Sequence, residues 1–266
     1  MADTDAVRGA GLPERLPATQ TPPSLSPGAP AAEPEKVMTL VDHLTELRTR
    51  IVRSILAIVV GTAVGFLAAP AIKEFLLGPL PAEALPLQVL GPGDAFAITL
   101  RIAVVAGVIV AMPVLLYQLW SFVAPGLTPA ERKALRPWIP LALCFFVLGV
   151  SIAYVILPFA IGFLLAFTDR NIVAHLAAPP YFDFVTTMFL AFGLLMEFPI
   201  VVYALARVGI LSSARLRSSR RMVILGIAIF AAIATPGGDL VSPVILGATM
   251  YILFELTIVA IRRGGR

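Results

Sequence analysis

The stretch Ala191-Phe192-Gly193-Leu194-Leu195-Met196-Glu197-Phe198-Pro199-Ile200-Val201-Val202 sets one carboxylate inside an apolar run long enough to cross a bilayer. An ionised side chain near the centre of such a helix costs about 2.5 to 3.5 kcal/mol on insertion scales. Glu197 therefore requires a protein interior, a wet cavity or a partner around it. Two readings stand side by side. One is a neutral Glu hydrogen-bonded across a helix pair; the other is a polar group in a path or a partner contact.

Composition decides the class around that stretch. The chain has 266 residues, 59% hydrophobic and 14% charged, with a mean hydropathy of +0.93. Too few charges remain to solvate a globular surface of that size, so the reading is an all-α, polytopic membrane protein. The single cysteine, Cys144, lies in an apolar run and reads as a small buried residue; it excludes an intramolecular disulfide. A formal charge of +4 is explained by membrane orientation and not by a nucleic-acid partner.

In chain order, residues 1–36 are rich in Pro and Ala and read as a disordered tail without the pattern of a cleaved signal. From Thr39, the residues Leu40, Leu44, Leu47 and Ile51 recur at helical spacing, with Asp42, His43, Glu46 and Arg50 on other faces. The pattern predicts an amphipathic helix on the membrane surface that turns into the first span. Thr39 with Asp42 has the spacing of a capping box, and Glu46 can pair with Arg50 at i,i+4. Six spans follow, at about 51–69, 96–120, 137–160, 183–206, 222–234 and 242–261, within a membrane domain of 37–263 and a short tail at 264–266. The fifth is too short for an ordinary bilayer and predicts tilting constraints or local thinning.

The intervening loops carry the remaining signals. Residues 70–95 read as a Pro- and Gly-punctuated loop, in which Gly91-Pro92-Gly93-Asp94 is a turn rather than half of an aspartyl protease site. Between the second and third spans, Thr128, Pro129 and Glu131 have the spacing of an N-cap, N1 and N3, which makes Glu131 a capping carboxylate on the local pattern. Basic residues cluster before the first span, at Arg132, Lys133 and Arg136, from Arg207 to Arg221, and at Arg262 and Arg263, against Lys73, Arg101 and Arg170 on the other side. Both termini are thus expected in the cytoplasm. Pro113, Pro158, Pro199 and Pro243 read as kinks that shape the bundle.

No H-E-x-x-H, G-x-S-x-G, in-span aspartate pair or P-loop occurs. The chain is read as a non-enzyme without metal or cofactor. A proton-coupled transporter of a small solute is the competing class, since it too would use an in-span Glu, but it predicts paired repeats that the two halves do not show.

Three stretches together resemble one family. These are Asp42-His43-Leu44-Thr45-Glu46-Leu47-Arg48-Thr49-Arg50, then Pro113-Val114-Leu115-Leu116-Tyr117-Gln118-Leu119-Trp120-Ser121-Phe122 running into Glu131-Arg132, and Phe192-Gly193-Leu194-Leu195-Met196-Glu197-Phe198-Pro199. They are similar to the TatC family, the large subunit of the twin-arginine protein translocase, from about residue 39 to 263. Met250-Tyr251-Ile252-Leu253-Phe254-Glu255 belongs to the same resemblance. The turn at 235–239 departs from the family's common Thr-Pro-Pro-Asp, since two glycines replace the second proline.

The resemblance implies that the chain binds twin-arginine signal peptides of folded cargo at its cytoplasmic face. It also implies assembly with small single-span subunits of the TatA and TatB type, self-association in a receptor complex, and export driven by the proton-motive force across the cell inner membrane. By the same resemblance Glu46, Glu131 and Phe122, with Arg48, His43, Leu44 and Leu47, form the recognition surface, and Glu197 is the in-membrane polar contact. Asp239, Pro113 and Gln118 stay between a structural and a functional reading. The physics fits, because a planar guanidinium fork meets a carboxylate in bidentate fashion and an ammonium cannot.

Overall fold

Long apolar runs satisfy their own backbone groups as helices, and the computed structural model is a helical bundle. It describes residues 40–81, 85–167, 176–235 and 238–263. The tail at 1–36, Thr39 with its proposed cap, Arg170, and residues 236–237 and 264–266 lie outside those described. The helices are α1 (Leu40–Leu77), α2 (Asp94–Val123), α3 (Pro129–Leu135), α4 (Trp138–Leu165), α5 (Ala178–Leu195), α6 (Phe198–Arg207), α7 (Ser213–Ser218), α8 (Arg220–Ala234) and α9 (Val241–Arg263). Among the described residues the only extended pairing is one bridge between Gln88 and Ala177, which ties together two loops at the same end.

The amphipathic segment does not turn. Helix α1 runs unbroken for 38 residues, about 57 Å at 1.5 Å per residue. No Gly or Pro interrupts residues 40–60. Thr45 and Thr49 donate to the carbonyls of Val41 (2.9 Å) and Thr45 (3.0 Å), one turn back in each case, so both hydroxyls are satisfied within a helix that continues where the corner was expected. The helix also carries Pro70 and continues to Leu77, which shortens the expected 70–95 loop. Its last turn is held by the Tyr181 hydroxyl, which donates to the Leu76 carbonyl at 2.5 Å, and by Phe75 stacked on Tyr154.

The orientation of α1 follows from its surroundings. Its polar residues His43, Glu46 and Arg50 are half-buried against α2, while Leu44 (65% exposed), Ile51 and Ile55 face outward. A helix with lipid around it reverses the soluble pattern: polar groups turn to the protein and apolar ones to the surroundings. Cys144 follows the same logic, exposed on the outer face of α4 instead of buried.

Small residues bring the helices close. A Cβ at Gly61 would sit 2.6 Å from the Gly107 carbonyl oxygen, and one at Gly193 would sit 2.7 Å from Phe146 Cε2. These are the α1–α2 and α4–α5 contacts, where van der Waals packing replaces the hydrophobic effect that lipid does not supply. One buried cluster, with Ile102, Leu157, Val185 and Met188, fills the bundle toward the loop end. A second, with Leu135, Tyr203, Leu216, Phe254 and Ile258, fills the end where α3, α6, α7 and the last turns of α9 meet. That end carries most of the arginines and is called the basic end below.

Among the described residues, five stretches are long and apolar enough to cross a membrane: Val41–Leu77, Asp94–Gly126, Pro129–Leu165, Ala178–Arg207 and Val241–Arg263. Helix α8 has 15 residues, about 22 Å, which is short of the roughly 30 Å hydrocarbon core. The fourth stretch is broken. Helix α5 ends at Leu195 and α6 begins at Phe198, leaving Met196 and Glu197 between them. Pro199 has no N–H to offer the preceding turn and lies at the start of α6. By contrast, Pro113 and Pro158 lie within continuous helices, and Pro243 is in the first turn of α9.

Candidate functional site

The three-residue spacing from His43 to Glu46 and the four-residue spacing to Arg50 put these side chains on one stripe of α1. The matching stripe on α2 is Gln118 and Phe122, one turn apart. The two helices run in opposite directions, so the stripes meet at the basic end. The His43 ring stacks on Phe122 with centroids 4.3 Å apart and planes 13° from parallel. One turn deeper, Arg50 Nη2 donates to Glu46 Oε1 at 2.9 Å and Nε to the same oxygen at 3.4 Å, while Nη1 donates to Gln118 Oε1 at 3.1 Å. Glu46 and Arg50 are only 16% and 21% exposed. Glu46 Oε2 is buried and, among the described residues, has no hydrogen-bond partner. A buried carboxylate oxygen with spare lone pairs calls for a donor.

Glu131 sits beyond the turn that ends α2. Thr128 accepts from the Glu131 N–H at 3.4 Å, and Glu131 Oε2 accepts from the Thr128 N–H (3.0 Å) and hydroxyl (2.8 Å), which completes the expected capping box. Arg132 donates twice to the Ala124 carbonyl, at 3.1 and 2.7 Å, and pins the same turn. Phe122 and Glu131 are therefore held on a braced corner. The remaining residues of the expected surface are less engaged: Arg48 and Leu44 are exposed, and Leu47 is half-buried.

Glu197 lies apart from this cluster, at the α5–α6 break. Its N–H donates to Leu194 at 3.1 Å and its carbonyl accepts from Ile200 and Val201, so the backbone at the break is satisfied. The side chain is half-buried, and Oε1 has no hydrogen-bond partner among the described residues. Asp239, at the opposite end, accepts from the Ser242 N–H at 2.6 Å and so caps the start of α9; it is 3% exposed. Gly238 before it has φ +71°, a conformation that suits glycine.

Three charged groups matter more than their sequence positions suggest. Arg50 read only as the i,i+4 partner of Glu46, yet its tie to Gln118 joins α1 to α2. Arg101 read only as a basic residue of the minor side. It forms an ion pair with Asp183 and donates to Thr186 (3.0 Å) and Thr187 (3.2 Å), joining α2 to α5 beside a cavity of about 310 Å³ that is also lined by Leu194 and Ile233. Arg220, at the start of α8, donates to Glu255 in α9 at 2.6 Å, and Tyr251 donates to the same carboxylate at 3.2 Å.

The family described as Sec-independent protein translocase protein (TatC) matches residues 42–248. A protein of that name from Carboxydothermus hydrogenoformans is 37% identical over 225 residues, which cover 84% of this chain and 93% of that protein. Another, from Frankia casuarinae, is 37% identical over 236 residues, covering 84% of this chain and 65% of that longer protein. Among solved structures, one titled as a crystal structure of the twin arginine translocase receptor TatC in DDM superposes with a TM-score of 0.73 at 33% identity, covering 82% of this chain and 98% of that one.

Proposed function

Because the chain belongs to the TatC family of Sec-independent protein translocase proteins, we propose that its basic end binds the paired arginines of twin-arginine signal peptides. As a multi-span membrane component of a protein translocase, it carries a transport role, and the reading as a transporter of small solutes falls away.

The observation that carries the proposal is the Glu46 carboxylate. It is largely buried, one oxygen is held by Arg50, and the other is buried without a donor among the described residues, one helical turn from the His43 that stacks on Phe122. A guanidinium can give hydrogen bonds to such an oxygen and lay its flat face on an aromatic ring, whereas an ammonium matches only the charge. Glu131, on the braced corner after Phe122, supplies the second acid. Arg48, Leu44 and Leu47 flank the surface on α1.

The wider reading places a membrane domain at 37–263 with six spans, α8 being the short one. Both termini lie in the cytoplasm, and the membrane is the cell inner membrane. Cargo passes with small single-span subunits of the TatA and TatB type, in a complex that holds more than one copy and draws on the proton-motive force. Glu197, at a helix break and with an oxygen that has no partner among the described residues, is the group that meets a polar position of a partner helix. Glu197→Ala should then weaken partner co-purification and export together; unchanged values of both would remove Glu197 from that role.

Recognition is tested with the purified chain in nanodiscs and a fluorescent signal peptide carrying Arg-Arg or Lys-Lys. The expected result is binding of the Arg-Arg peptide at least about tenfold tighter, a gap of about 1.4 kcal/mol, with Glu46→Gln or Glu131→Gln erasing the gap. Equal binding of both peptides by all three proteins would overturn the proposal.

A further inference from the structure

We propose that Arg50 is an internal competitor for the incoming signal, a guanidinium latch anchored on Gln118 that holds one oxygen of Glu46 and raises the selectivity of the site for arginine over lysine. The inference rests on the recognition reading above and concerns the regulation of that same site.

The geometry carries it. An arginine unconstrained beside a carboxylate places two N–H groups on two oxygens. Here Nη2 and Nε both lean on Glu46 Oε1, at 2.9 and 3.4 Å, because Nη1 is drawn away to Gln118 Oε1 at 3.1 Å. Gln118 is 8% exposed, a buried and fixed acceptor on α2. The result is a half-used carboxylate: Oε1 carries the latch, and Oε2 is buried with no partner among the described residues. The latch also brings a permanent positive charge to the place where another cation is to bind.

The consequences differ for the two cations. First contact with Oε2 needs one donor, which either cation supplies. Full, two-oxygen engagement of Glu46 requires Arg50 to swing off Oε1. A guanidinium replaces the contact it breaks with one of the same shape, so the exchange is nearly even. An ammonium cannot offer the paired, coplanar donors and leaves part of the exchange uncompensated. Like-charge proximity lowers the affinity of both cations but lowers that of lysine more, so selectivity rises as affinity falls.

The experiment measures binding of the Arg-Arg and Lys-Lys signal peptides to the full chain in nanodiscs, for the wild type, Arg50→Gln, Arg50→Lys, Gln118→Met and Glu46→Gln. Arg50→Gln should bind the Arg-Arg peptide about three- to tenfold tighter, and the Lys-Lys peptide should gain more, so that the ratio between them shrinks. Gln118→Met, which frees Arg50 to cover both oxygens of Glu46, should weaken binding of both peptides, and Arg50→Lys should fall between wild type and Arg50→Gln. If Arg50→Gln does not fold, the other two variants decide. Unchanged or weaker binding in the Arg50 variants, or tighter binding in Gln118→Met, with Glu46→Gln still losing the Arg-Arg peptide, overturns the latch and leaves recognition standing. Wild-type behaviour of Glu46→Gln takes Glu46 out of recognition and overturns the latch with it. A purely structural Arg50 would lower the melting temperature without changing the Arg-to-Lys ratio.

Discussion

Glu131 holds two positions at once, a helix cap made with Thr128 and a carboxylate at the end of a braced corner. Substitution separates them. Thr128→Ala removes the cap and should cost about 1 kcal/mol of stability while leaving the preference for Arg-Arg peptides intact. Glu131→Gln keeps a side chain that can complete the box, so the melting temperature should hold while the preference is lost. A thermal melt and a binding curve on each variant check the pair. The cap was legible in the sequence because all of its atoms lie within four residues; so was the Glu46–Arg50 pair. The meeting of Arg50 with Gln118 and of His43 with Phe122 was not, because it depends on the register between two helices about 70 residues apart, which no local spacing encodes. Arg101 and Asp183 left a faint trace: each lies within two turns of the start of a helix that begins at the same end of the bundle. Their coupling in a double-mutant cycle with Arg101→Leu and Asp183→Leu should be about 1 kcal/mol or less, since both side chains are partly exposed.

Helix α1 shows how surroundings decide which face of an element packs. Its apolar stripe was visible in the sequence, and a soluble helix would bury it. Among lipids the stripe faces out, and the residues that pack on α2 are His43, Glu46 and Arg50, followed by the glycines at 61 and 65. The α1–α2 contact is therefore sensitive to volume. A Cβ at Gly107 would meet the Thr62 hydroxyl at 2.6 Å, so Gly107→Val should cost about 1 to 3 kcal/mol through forced separation of the helices. Gly226, in α8, has nothing within 4 Å of where its Cβ would stand, and Gly226→Ala should be neutral or stabilise by about 0.5 to 1 kcal/mol. Melting of the two variants in the same detergent provides the contrast; equal losses would mean that glycine backbone conformation, not packing, sets the cost. The break between α5 and α6 belongs to the same scale. Pro199 announced a disturbance, but whether it would be a kink or an interruption depends on how Met196 is packed, at 0% exposure, against the neighbouring helices.

At the scale of the whole molecule the open count is α8. Five stretches satisfy the length of a bilayer and α8 does not, yet its side chains Ile229, Phe230 and Ile233 face outward at 50, 62 and 77% exposure, an apolar face that water would not favour. Arg220, paired with Glu255, marks its first turn, and the Asp239 cap follows its last. A helix of about 22 Å whose two ends carry charged groups spans a membrane only where the bilayer thins to meet them. Accessibility decides it. In a Cys144→Ala background, Lys133→Cys and Arg217→Cys should react with a membrane-impermeant maleimide only after the membrane is opened. Pro92→Cys and Leu240→Cys should react in intact cells. Leu240 is 68% exposed and lies just past α8, so its side of the membrane relative to position 217 is the span count. Reaction of both from one side would make the count five, leave α8 lying in the interface, and put the end of α9 that carries Arg262 and Arg263 on the side opposite the loop at 124–136. The basic residues would then be divided between the two faces of the membrane, against the positive-inside distribution that six spans produce.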